Sequence, residues 1–106
     1  MADVVALVSD LMLSSRVEAS LRAAGHDVKV KGVPDAETAA ADLIVADLEA
    51  VDAEAVAAIG PPTLGFYSHV DVETRRAAEA AGFDLVVPRS RMARELPELA
   101  ERLLSG

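Results

Sequence analysis

Asp42-Leu43-Ile44-Val45-Ala46-Asp47 is the stretch that decides the fold. Four consecutive apolar residues leave no polar side for water. Such a strand is buried on both faces, as in the middle of a parallel sheet. Working outward, similar short runs recur. Residues 2–8 read as a strand ending at Ser9 and Asp10. Residues 27–31 alternate, and Lys29 and Lys31 share one side, which suits a sheet edge. Residues 63–67 and 83–87 complete a set of five. Helical stretches separate them. One covers 15–24, capped by Ser14 or Ser15, and a short one covers 35–41, capped by Asp35. The third covers 52–58, and the fourth runs from Asp71 or Val72 to Ala81. The last covers 91–104, capped by Ser90 and kinked or restarted at Pro97. Gly25, Gly60 and Gly82 punctuate the returns to the sheet. The alternation predicts an α/β fold: a three-layer α/β/α sandwich with parallel strands in the order 2-1-3-4-5. The second and third helices are expected to be short, about two turns each.

The chain has 106 residues, the size of one domain, and 21 of them are alanines suited to close helix packing. It has no cysteine, which excludes disulfides, thiol nucleophiles and thiolate metal sites. Aromatic residues are 3% and the net charge is -8, a poor match to nucleic acid or an anionic membrane surface. No long apolar run or basic leader is present, so a soluble cytoplasmic domain is expected.

In an open parallel sheet, sites form beyond the carboxyl ends of the strands. Those ends here bear Ser9 and Asp10, Asp47 followed by Glu49, Ser68 and His69, and Pro88, Arg89 and Ser90. Asp10, Asp47 and Ser68 are expected to line one cleft. Carboxylates from two strands can chelate magnesium, and a carboxylate can also accept a phosphoryl group. The same residue types equally serve as strand ends and helix caps. Arg89, Arg91 and Arg94 can receive an anion, or pair with the acidic tract between Gly32 and Thr74, which has nine acids and no lysine or arginine. Leu11, Met12 and Leu13 follow Asp10 and read either as core closing over the cleft or as an exposed contact patch.

The five units, Asp10 after the first strand, DLIVADL ending on Asp47, LGFYSH with Ser68, and AGFDLVVP together resemble the receiver domain of two-component response regulators, over nearly the whole chain. The resemblance implies a flavodoxin-like, CheY-like fold. It makes Asp47 the phosphoacceptor and Asp10, Asp47 and the Glu49 carbonyl the magnesium ligands. Ser68 becomes the hydroxyl that follows the phosphoryl group. It also implies a protein contact face on the fourth helix, fifth strand and last helix.

Departures from the pattern are specific. Ser9 stands where the first acid of the pair belongs, and Pro88 stands where the lysine belongs. Arg89 follows one position later, and its planar fork is not an equivalent point charge. Leu85 or a neighbour replaces the aromatic switch residue. The pattern resembles that of pseudo-receivers, which keep the fold for protein contacts. The expectation is a stand-alone, non-enzymatic signalling or regulatory module. It would bind a protein partner or form a homodimer, with no cofactor beyond weakly held magnesium. One alternative is a divergent response regulator accepting phosphate on Asp47. Another is a small flavodoxin-like ligand-binding domain or enzyme, although no glycine-rich phosphate loop or Ser–His–Asp arrangement is present.

Overall fold

The computed structural model describes residues 2–68 and 72–105. Five strands, β1 (Asp3–Leu7), β2 (Asp27–Lys31), β3 (Leu43–Asp47), β4 (Thr63–Tyr67) and β5 (Leu85–Pro88), form one parallel sheet in the order 2-1-3-4-5. The helices are α1 (Leu11–Ala23), α2 (Ala36–Ala39), α3 (Ala53–Ala57), α4 (Val72–Ala81) and α5 (Arg89–Ser105). Leu43 to Ala46 are fully buried. Their side chains alternate between two cores. Leu43 and Val45 pack with Leu13, Val17, Met92 and Leu96 of α1 and α5. Ile44 and Ala46 pack with Val56 of α3 and Ala78 of α4. Phe66 and Tyr67 divide between the same two faces, as their positions on a strand require.

Several boundaries differ from the expected ones. α1 begins at Leu11, four residues before the anticipated start, because Asp10 caps it by accepting from the Leu13 N–H at 3.0 Å. Ser14 and Ser15 instead donate back to the Leu11 carbonyl, at 3.0 and 2.9 Å. This places Leu13 in the core and leaves Leu11 and Met12 80% and 79% exposed. The apolar trio is thus neither wholly core nor wholly surface. α2 and α3 have four and five residues, about one turn each and shorter than expected. α5 starts directly after Pro88, so Ser90 lies in its first turn and is not its cap, and the helix continues through Pro97. The Ala93 carbonyl deprived of a donor by Pro97 belongs to an exposed residue and can reach water.

β5 begins at Leu85 rather than Phe83 because Asp84 is occupied across the sheet. Its carboxylate accepts from the Thr63 N–H at 2.8 Å, and its own N–H donates to Thr63 Oγ1 at 3.1 Å. Phe83 packs instead beside Gly65 of β4. A Cβ at Gly65 would lie 2.8 and 2.9 Å from ring carbons of Phe83 and 3.0 Å from Leu48 Cδ2. Here the absence of a side chain makes room for the ring.

At the β2 edge, Lys29 and Lys31 do share a side. Lys29 pairs with Glu37, and Lys31 bridges Asp35 and Glu37, both at 2.8 Å. Asp35 also closes a capping box with Thr38. The Lys31 hydrogen bond holds the Asp35 carboxyl below its ordinary range, and the Lys29 and then Lys31 bonds do so for Glu37. The same bonds raise both lysines.

Two outcomes follow from this packing. Gly65→Ala is expected to lower stability by about 1–3 kcal/mol, because Phe83 and Leu48 must both give way; urea denaturation measures it. The clamp between β2 and α2 is intact above the ordinary carboxylate range. It loosens as pH falls through the depressed values of Asp35 and Glu37, and again above the raised lysine values. In an NMR pH titration the Glu37 and Thr38 amides should shift at the acid limb. Pairs this exposed should also weaken with salt.

Candidate functional site at the carboxyl end of the sheet

Register sets the positions. Leu7 pairs with Ala46, Asp47 with Phe66, and Tyr67 with Pro88. The residues just beyond these pairs are the predicted site residues, so Ser9, Asp10, Glu49, Ser68 and Arg89 all emerge at one pole with Asp47. Direct contacts join only some of them.

Asp47 is half-buried at the end of β3. Its Oδ1 accepts from the Glu49 N–H at 2.9 Å, and its carbonyl accepts from the Ala50 N–H at 2.9 Å. The carboxylate thereby folds its own loop, an Asx turn. Glu49 then reaches across to β4. Its Oε1 accepts from the Ser68 N–H at 3.0 Å and also from the Ser68 hydroxyl. Asp47, Glu49 and Ser68 form one hydrogen-bonded chain between the ends of β3 and β4. The side chain of Glu49 is the functional group that sequence reasoning missed, since the resemblance drew attention only to its carbonyl. Its position level with Ser68 in the parallel register was the available signal.

Asp10 is at the same pole, but its carboxylate faces the first turn of α1. Ser9 is exposed beside it. Arg89 is exposed at the start of α5 and makes no ion pair among the described residues. Arg91 and Arg94 lie near Glu95 of their own helix, at 3.5 and 3.7 Å. Leu85 is a partly buried aliphatic residue packed on the α1–α5 core. His69 and Asp71 lie outside the described residues. His26 is at the opposite pole, where its Nδ1 accepts from the Ala2 N–H at 3.3 Å. Cavities lined by described residues lie between α1 and α5, beside β2, at the amino pole, and between α3 and α4. Among the described residues, no group of three or more histidines and carboxylates is placed to hold a metal ion.

No protein-family model and no curated protein matches the chain. Solved structures do. A response regulator from Thermotoga maritima superposes with a TM-score of 0.80 at 14% identity, covering 98% of both chains. A CheY-like receiver domain protein from Methanospirillum hungatei JF-1 gives 0.81 at 15% identity, over 99% of this chain and 94% of that one. The fold is that of a response regulator receiver domain. NtrX from Brucella abortus matches at 0.83 and 22% identity, and this chain spans about a quarter of its length, 27%. Within that fold, the Ser68 hydroxyl of this chain is engaged by an internal carboxylate. Among the described residues, no helix is long and apolar enough to cross a membrane.

Glu49→Ala should free both Ser68 groups. The expected outcome is faster amide exchange at Ser68 and a loss of about 1 kcal/mol, the ordinary net worth of such a contact. Exchange at Leu64, inside β4, should be unchanged.

Proposed function

We propose that this chain is a receiver-fold protein-interaction module, signalling or regulatory and without catalytic activity, that works without phosphorylation of Asp47. The observation that carries this reading is the Glu49 carboxylate on the Ser68 hydroxyl and amide. The group that would respond to a new anion is already satisfied by a resident one. Pro88 supports the reading from the other side. It ends β5 next to Tyr67 and provides neither a cation nor an N–H. A phosphoryl group on Asp47 would add negative charge to a pole that already bears Asp10 and Glu49. Removing a fixed cation beside a transferring phosphoryl group costs a few kcal/mol, about two orders of magnitude in rate.

Magnesium belongs to the same proposal. Asp10 and Asp47 would be its side-chain ligands and the Glu49 carbonyl its third. The fit is poor. Each carboxylate already spends an oxygen on a backbone amide, and Ser9 adds no charge. Only weak, largely hydrated binding is expected.

A backbone amide NMR titration with magnesium and beryllofluoride tests both statements. The expected result is no saturable change around Asp47 and Ser68 with beryllofluoride, and only weak shifts with magnesium alone. Saturable, magnesium-dependent shifts centred on those residues and abolished by Asp47→Ala would overturn the reading in favour of a phosphoacceptor.

A further inference from the structure

We infer that the partner of this module is a second copy of the same chain. The apolar start of α1 in one copy seats in the groove between α3 and α4 of the next. The inference rests on the reading of the chain as a protein-interaction module and names its partner.

The projecting half is Leu11 and Met12. They are adjacent, large and about four-fifths exposed, at 80% and 79%. Apolar side chains so exposed are dispensable to the core, and two together favour a covering surface. Cations flank them. Arg16 follows Met12 by one helical turn on α1. Arg89 precedes Met92 and Ala93 by one turn on α5, and those two residues line a groove together with Arg16. Neither arginine makes an ion pair among the described residues.

The receiving half lies between α4 and α3, a helix of only five residues. The groove there holds about 330 Å³ and is lined by Leu48, Val51, Ala53 and Ala77. Asp52, Glu54 and Thr74 complete its lining. Asp52 precedes α3 without making a capping bond, and neither carboxylate has an ion pair among the described residues. The apolar pair meets the apolar part of the groove, and arginines meet carboxylates, none of which has an ion pair among the described residues.

The two halves lie on opposite faces of the sheet, one over the α1–α5 core and the other over the α3–α4 core. A single molecule therefore cannot satisfy both itself. The contact is heterologous and extends as a chain or closes as a ring. With a net charge of -8, copies repel one another in most orientations. The complementary faces select one orientation from the rest.

Sedimentation velocity on the intact chain, from about ten micromolar to about one millimolar, gives the first test. The wild type is expected to show a concentration-dependent rise in sedimentation coefficient. Leu11→Glu with Met12→Glu should abolish it. Acidic residues suit the first turn of a helix, so α1 is kept. Asp52→Asn with Glu54→Lys should also abolish it, and asparagine keeps the capping position occupied. Each variant retains one intact half, so an equimolar mixture should give a discrete heterodimer and nothing larger. The proposal is overturned by a wild type that stays monomeric at the highest concentration, by association that survives either double substitution, or by a mixture of folded variants that stays monomeric. Folding of each variant is read from unchanged amide spectra away from the substituted sites. A monomeric wild type would leave the phosphate-independent reading standing, because that reading is decided by beryllofluoride and not by sedimentation.

Discussion

Every other element answers to the burial of β3 on both faces. Leu43 through Ala46 have no contact with water, so the chain must supply a helical layer on each side and flanking strands on each edge. Backbone groups cannot be left unpaired in that setting. β1 and β4 supply the ladders, and β2 and β5 extend them outward. The hydrophobic term provides the drive, and the parallel ladder fixes which residues arrive together at each pole.

Aspartate does much of the fastening. Asp42 accepts from the Asp3 N–H at the start of β1, and Asp84 holds the start of β4 through Thr63. Asp10 and Asp35 cap helices, and Asp47 turns its own loop. Each sits where a strand or helix leaves backbone donors without partners. The acidity of the chain is thus partly structural, and a carboxylate at a strand end is not by itself a sign of chemistry. Glu49 belongs with Asp42 and Asp84, which reach partners 39 and 21 positions away; it reaches Ser68, 19 positions away, and ties the ends of β3 and β4.

The strand order was legible because the apolar runs are short, distinct and bounded by glycine, proline or polar residues. The limits of α1 and α5 were not. Asp10, Ser14 and Ser15 are all competent caps, and the choice between them depends on which start puts Leu13, Val17 and Leu21 into the core together. Residues 89 and 90 could have been loop, yet the helix begins at once when β5 ends on Pro88. At the site, the positions of Asp47 and Ser68 followed from the strands. The grip of Glu49 on Ser68 did not, because it depends on the register between β3 and β4 and on a side-chain rotamer.

The two helical layers are unequal. One face of the sheet is covered by helices of 13 and 17 residues, the other by helices of four, five and ten. Short helices hold few backbone hydrogen bonds and little buried area, so local unfolding is cheapest on that side. The protein should therefore open asymmetrically. The α2–α3 side forms a low-stability cooperative unit whose release bares Ile44 and Ala46, while Leu43 and Val45 stay sealed beneath α1 and α5. Proteolytic nicking and tolerance of insertions should concentrate on the same side, and folding should begin from the other.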